Sequence, residues 1–434
     1  MKHNNEKRFA LFVALAVVFL LFVGPNALRA QTTQQVDEQE EAADTGDDEQ
    51  EAAADTGDDE PRFELYGHVM TDVGYSGKQI DPDWFDVNRP TKLAGFENEF
   101  GTGGFSYFSV RQTRFGFQAS VPTKLGELFT WFEFELFGTG VDAGQTTFRL
   151  RHAYGEIGQF GAGQTWSPFM DINVFPNSVE YWGPNGMVFF RNIQLRWMPI
   201  KGDTRLTVAL ERPGASSDDG KFEDFLEIED IRGSFPLPDL SAEYRLGADW
   251  GYVELAGMLR YIEWDDIDDD EFDLSGDALG WGINLSSNVK LGDANTLRLQ
   301  VVYGQGIQNY MNDATADIGI EPNPGNPQAP IKGVTLPILA VVAFLDHSWG
   351  HGLSTAVGYS LSDIDNASGQ LPSAFSKGQY ALVNLLHSPI PNLLYGAELQ
   401  YGHRKNFSDG WSTDNFKIQL SFKYNYSIDW GGNE

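Results

Sequence analysis

From residue 62 to the end of the chain, hydrophobic and polar positions alternate with a period of two. The last segment carries the pattern most plainly: Phe416, Ile418, Leu420, Phe422, Tyr424 and Tyr426 alternate with Lys417, Gln419, Ser421, Lys423 and Asn425. Successive side chains of a strand point to opposite faces, so this spacing predicts a β-strand with one apolar and one polar face. The same dyad repeat recurs at 65–75, 128–137, 206–210, 240–248, 253–261, 279–289, 297–303 and 353–361. No stripe of helical period competes with it.

Alternation alone fits a soluble sandwich, a lipocalin-like barrel or a membrane barrel, since each has one apolar face per strand. The connections separate them. Short turns at 122–126, 199–203, 291–295, 348–352 and 389–392 alternate with long polar segments near 76–104, 138–145, 165–188, 212–239, 264–277, 307–333, 362–377 and 404–413. Strict short–long alternation means two different ends, the pattern of an outer-membrane barrel with periplasmic turns and longer extracellular loops. The expected fold is all-β, a transmembrane antiparallel β-barrel of sixteen strands over 61–434, with one strand for about every 23 residues and both termini in the periplasm. Barrels of this size enclose an aqueous channel unless something plugs them. Aromatic residues near strand ends, such as Trp131, Trp197, Tyr252, Trp281 and Tyr395, suit interfacial girdles, or else ordinary strand preference.

The first 60 residues belong to a different pattern. Lys2, Lys7 and Arg8 precede an unbroken apolar run from Phe9 to Val23, and small or turn-forming residues follow to Ala30. This is the layout of a secretory signal peptide, assigned to 1–30. The alternative, a single anchoring helix, needs ~20 apolar residues, more than this run supplies. Residues 31–60 hold almost nothing to bury and repeat Ala-Asp-Thr-Gly-Asp-Asp-Glu at 43–49 and 54–60. They read as an acidic, low-complexity periplasmic segment that cannot offset its own ordering entropy, rather than as a helical stalk.

Composition narrows the function classes. The formal charge is −32; residues 1–60 hold 4 of the 30 basic and 14 of the 62 acidic residues, so −22 stays on 61–434. A nucleic-acid partner, which needs a basic footprint, is excluded. With Cys 0, thiol catalysis, Cys-ligated metals and a lipoprotein-type Cys anchor are excluded too. Gly-x-Ser-x-Gly, His-Glu-x-x-His and phosphate-binding Gly-rich loops are all missing, so neither an enzyme, a cofactor nor a metal site is expected. The remaining acid/base candidate is the pair Glu133 and Glu135, on one strand face.

Strand parity selects the candidate lumen residues. If Phe132, Phe134 and Leu136 face lipid, Glu133 and Glu135 face the lumen; if Phe148 and Leu150 face lipid, Arg149 and Arg151 face it from the next strand. The same logic places Arg196, Arg205, Arg245, Arg260 and Arg298 inside. Rings of arginine in a pore favour anions and phosphates, while the plainer alternative pairs each arginine with a wall carboxylate. Arg111 and Arg114 are three residues apart and cannot share one alternation, which implies a bulge near 112–113. His152 falls on the nominal lipid face, so either the register is broken there or that face meets another subunit. The loop at 165–188 is far more apolar than the other long loops and is expected to pack inward, narrowing the pore, or against a neighbouring subunit. The acidic stretches at 218–230 and 263–277 read as solvated outer surface, with divalent-cation bridging as the alternative.

Several of these segments together resemble the DcaP-like outer-membrane porins. They are Phe-Glu-Leu-Tyr-Gly at 63–67, Arg-Gln-Thr-Arg-Phe-Gly-Phe at 111–117, Phe-Arg-Leu-Arg-His-Ala-Tyr-Gly at 148–155, Ala-Gly-Gln-Thr-Trp-Ser at 162–167, Gly-Pro-Asn-Gly at 183–186, and 191–196. The resemblance implies a homotrimeric sixteen-stranded porin whose constriction bears Arg111, Arg114, Arg149, Arg151, Arg191 and Arg196 and passes small organic anions such as dicarboxylates. Two departures limit it: residues 31–60 lack the heptads of the coiled-coil extension the family can carry, and Asp429-Trp430-Gly-Gly-Asn-Glu follows the last strand where such barrels often end on an aromatic. The expectation is therefore a passive porin in the outer membrane of a Gram-negative-type bacterium, in contact with outer-membrane lipids. The alternatives are an outer-membrane hydrolase and a non-conducting surface protein.

Overall fold

The computed structural model describes residues 60–223 and 228–431. The expected signal peptide at 1–30 and, apart from Glu60, the acidic segment at 31–60 lie outside the described residues, as do 224–227 of the acidic stretch at 218–230. The wall is built of eighteen hydrogen-bonded segments that amount to sixteen strands, because two strands are interrupted. Phe105–Ser109 and Arg114–Thr123 both pair with Arg62–Ser76, and Ile231–Ser234 and Asp239–Ala248 both pair with Gly251–Asp266. Every neighbouring pair is antiparallel, and Arg62–Ser76 closes the ring on Ser412–Trp430, from Phe63 opposite Trp430 to Ser76 opposite Lys417. In hydrocarbon an open edge would leave a row of unsatisfied N–H and C=O groups, so closure is obligatory.

The two ends differ as the connections imply. Tight turns such as 158–159, 249–250 and 391–392 occupy one end, and the long loops at 77–104, 167–190 and 306–336 occupy the other. Along the last strand Phe416 is 58% exposed while Lys417 and Gln419 are fully buried. A soluble β-protein would bury the other face; apolar outside and polar inside is the arrangement of a barrel surrounded by lipid.

The outer face departs from expectation at two aromatics. Trp131 and Tyr252 are not girdle residues: both point into the barrel, where Trp131 stacks on His152 (centroids 3.6 Å apart) and Tyr252 donates to Asp171 at 2.6 Å. Trp197 and Tyr395 are exposed on the outside. His152 also faces inward, and the reason is a bulge. Glu133 pairs with His152 but Phe134 pairs with Leu150, so Arg151 is the extra residue and both Arg151 and His152 turn into the lumen. A second irregularity sits where Arg111 and Arg114 required one: Ser109 opposes Asp72 and Arg114 opposes His68, so four residues face three.

The apolar loop at 167–190 packs inward, against the barrel's own inner wall. Phe169, Met170, Ile172, Val174, Met187 and Val188 are buried against Met258, Val302, Ile338, Val342, Phe344 and Leu382. This docking explains a strand that breaks the dyad rule: in Pro337–Gly350, Ile338, Ala340, Val342 and Phe344 are apolar on the inner face because the loop covers them. Polar anchors fix the crossing. Asp171 caps the short helix Ile172–Val174 and accepts from Arg245 (2.8 Å), Tyr252 and Ser286 (both 2.6 Å). Farther along, Asn177 donates to Ser354 at 2.9 Å and Ser178 to Glu398 at 2.9 Å. Phe169 is fully buried under this loop. Phe169→Ala is expected to weaken the docked state by about 3–5 kcal/mol, seen as protease cleavage within 167–190 and a larger single-channel conductance while the barrel itself stays folded.

Candidate functional site

Between the inward loop and the wall lies a cavity of ≈ 350 Å3. Among the described residues, Arg89, Arg114, Arg149, Arg151, Arg298 and Lys423 line it, against a single carboxylate, that of Glu180. Its other surface is mixed: the loop brings Phe175, Tyr181, Trp182 and Phe189, and polar groups such as Gln112, Asn173, Asn309 and Asn312 lie among them.

The cationic wall follows from strand register. Glu133 and Glu135 project inward from Gly126–Phe137, with Arg114 directly opposite Glu135 on one neighbouring strand and Arg149 opposite it on the other. Arg151, on the same inner face as Arg149, donates through Nε to Glu133 and through Nη1 to Glu135 at 2.7 Å, and the bulge adds His152 to that face. Arg114 stands 3.6 Å from Glu133 and 3.8 Å from Glu135, Arg149 3.5 Å from Glu135, and Arg191 3.9 Å from Glu135. Four guanidinium groups thus share two carboxylates, a formal surplus of two positive charges. Burying carboxylates costs several kcal/mol each unless they are paired and hydrogen-bonded; Glu133, 3% exposed, and Glu135, 1% exposed, are held by this cluster, by Tyr66 (2.7 Å) and by Tyr181.

The six arginines singled out by sequence do not all meet. Arg114, Arg149 and Arg151 reach the cavity, whereas Arg191 lies behind it, packed over Trp166 at 4.8 Å with Nη1 buried and unbonded. Arg111 is turned away: it is fully buried, bonded to Asp86 at 2.7 Å and to the Gly138 carbonyl, and stacked over Phe137. Arg196 donates to Gln194 and the Trp166 carbonyl and faces the Tyr154 ring. Arg196 is satisfied by groups of its own wall, and Arg111 by Asp86 of the first long loop and the carbonyl of Gly138 just past its neighbouring strand, before either reaches the cavity. Elsewhere the plainer reading describes the arrangement: Arg205 pairs with Glu243 and Glu254, Arg245 with Asp171 and Glu254, and Arg260 with Asp239 and Asp317; Arg298 lines the cavity and is paired as well, with Asp346.

Arg89 and Lys423 are lining residues that strand parity did not select. Lys423 occupies a polar position of the last strand, which the dyad pattern already marks as inward. Arg89 had no such signal, because it stands in the first long loop. That loop also folds in; the Arg89 guanidinium lies 4.1 Å from the Trp84 ring and 3.9 Å from the Trp182 ring and bonds Asp313 at 3.0 Å. Three long loops are thereby locked together over the cavity. Trp182 donates to the Asn312 carbonyl at 2.8 Å, and Thr91 N to Asp313 at 2.9 Å.

Glu180 tunes the cavity's charge. It accepts from the backbone N–H of Gly183 and of Asn88 (3.2 Å), tying the inward loop to the first loop. Burial pushes its carboxyl up to about 7, and the negative charge of nearby Glu398 adds to the rise. A carboxyl raised in this way is neutral below its pKa and charged above it. The reversal potential under a salt gradient is therefore expected to move toward the cation side between about pH 6 and about pH 8, and to stay flat in Glu180→Gln. Arg151 has a structural cost as well. Arg151→Ala leaves two buried carboxylates short of their best partner and is expected to destabilise the barrel by on the order of 3–5 kcal/mol, read as a lower unfolding temperature in detergent.

A family model described as DcaP outer membrane protein matches residues 34–320. No curated protein sequence matches the chain. Among solved structures, the outer membrane channel DcaP of Acinetobacter baumannii superposes with a TM-score of 0.68 at 21% identity, covering 84% of this chain and 97% of that one. An anion-selective porin from Comamonas acidovorans gives 0.55 at 11% identity, covering 84% and 100%. The trimer form of OmpT from Vibrio cholerae gives 0.50 at 11% identity, covering 84% and 99%. At these identities the structural likeness speaks for the fold.

Proposed function

The chain belongs to the DcaP outer membrane protein family, and from that membership we propose that it is a passive, trimeric diffusion channel of the outer membrane that prefers small organic anions such as dicarboxylates. The observation that carries the reading is the cavity lining: six cationic side chains against one carboxylate, three of them, Arg114, Arg149 and Arg151, belonging with Arg191 to the cluster in which four arginines share two glutamates. Fixed guanidinium groups recognise carboxylates through paired, charge-assisted N–H donors. Because Arg114, Arg149 and Arg151 are themselves held by Glu133 and Glu135, a passing carboxylate meets only part of their charge. That keeps binding weak enough for release, as conduction requires.

The net charge of −22 on the barrel does not oppose this reading. Much of the acidity lies in the outer loops, with Asp265, Asp268, Asp269, Asp270 and Glu271 all exposed. Selectivity follows the narrowest, least screened charges, and exposed charges more than about a Debye length away are damped. Anion selectivity in the Comamonas acidovorans porin and the trimer form of OmpT are precedents for the same fold. They support the reading by analogy only.

Reversal potentials of the purified chain in planar bilayers under a KCl gradient test the proposal, with a four-carbon dicarboxylate then replacing chloride. Chloride preference is expected, together with a concentration-dependent reduction of chloride current by the dicarboxylate. Arg149, whose side chain is 30% exposed, supplies the control. Arg149→Ala is expected to lower the anion preference while changing stability by no more than ~1 kcal/mol. Cation preference in the wild type sinks the arginine filter, and absence of conductance sinks the channel.

A further inference from the structure

We propose that the hydroxyl of Tyr181 is a specificity-determining positioning group: by occupying Glu135 it keeps Arg149 turned toward the cavity. The inference rests on the anion-channel reading above, and deepens it.

Tyr181 belongs to the inward loop, not to the wall. Its ring lies flat on Phe137, with centroids 3.8 Å apart and 9° between planes. That stack fixes where the hydroxyl falls. It donates to Glu135 Oε1 and accepts from Arg149 Nη1 at 3.3 Å. The other oxygen, Oε2, is taken by Arg151 at 2.7 Å. Glu135 therefore has both oxygens engaged before Arg149 reaches it.

The distances carry the consequence. Arg149 Nη1 and Arg191 Nη2 stand 3.5 Å and 3.9 Å from Oε1, whereas a direct guanidinium–carboxylate hydrogen bond closes to about 2.7–2.9 Å. Of the four guanidinium groups around the glutamates, Arg149 keeps the most exposed side chain, at 30% against 11%, 2% and 5% for Arg114, Arg151 and Arg191. It is the cation of the cluster that an entering anion meets first. The phenol is neutral, so it satisfies the glutamate without adding charge to the cavity, as a fifth cation would. Remove only the hydroxyl and Oε1 is left short of a donor in a buried setting, where an unsatisfied carboxylate is costly. Arg149 is the mobile group nearest to it, and closing that gap withdraws its N–H donors from the cavity.

Tyr181→Phe isolates the effect, because the ring and its stack on Phe137 survive. In planar bilayers the full chain carrying Tyr181→Phe is expected to lose anion-over-cation permeability by on the order of threefold relative to wild type, within the range that one partly exposed charge supplies, with the barrel still folded in detergent. In an Arg149→Ala background the same substitution is expected to change the permeability ratio no further, since the group it releases is gone. A structural role for Tyr181 would not produce that dependence on Arg149. A wild-type permeability ratio in Tyr181→Phe overturns the proposal, and so does an equal loss in both backgrounds. A wild type that prefers cations overturns the anion-selective reading instead, and leaves the channel standing. In that case the positioning role is still read from the shift between Tyr181→Phe and its parent.

Discussion

In hydrocarbon every backbone N–H and C=O must find a partner within the protein, and this constraint governs the rest of the molecule. It demands that Arg62–Ser76 return to Ser412–Trp430, which closes sixteen strands into a ring. A ring of that size cannot be filled by wall side chains alone. The space left over fills with water except where loops enter it, and the inner wall has to offer each entering loop either apolar contact or hydrogen-bonding partners. The inward loop takes both, lying on Ile338, Val342 and Phe344 and bonding through Asp171, Asn177 and Ser178.

Charge inside such a ring is balanced side by side. One wall carries arginines paired closely with carboxylates, as in Arg260 with Asp239 and Asp317. The opposing strands carry Glu133 and Glu135 beneath a larger number of arginines, and there the balance tips positive. Pairing and function are not alternatives in this cluster. The glutamates make it tolerable to bury Arg151 and to crowd like charges, and in the same act they attenuate the field a solute feels. Tyr181, brought in by the loop, joins the loop's position to the cluster's charge.

Strand parity made much of this legible. Arg149 and Arg151 could be assigned to the lumen because a period of two leaves only two faces, Arg114 entered through the family resemblance, and the apolar composition of 165–188 required that loop to be covered. Parity failed where the backbone skips a residue. His152 was placed on the wrong face because the bulge at Arg151 resets the count, and no residue type there announces a bulge. Trp131 was taken for a girdle aromatic although it shares the parity of Glu133; inside, its indole N–H has Tyr66 to bond at 2.5 Å. Arg111 and Arg196 lie on inner walls, yet Asp86, Gln194 and backbone carbonyls hold them away from the cavity.

What the sequence determined by itself was the membrane barrel: alternation and short–long connections are local properties, written every two residues and every turn, and they survive any error in distant packing. The tertiary structure alone decided which charges share the cavity. Tyr181 meets Glu135 across 46 positions, Asp171 meets Ser286 across 115, and Arg89 meets Asp313 across 224. Such contacts depend on ring closure, on a one-residue bulge and on how three loops interlock, and none of these is encoded in the residues that finally touch.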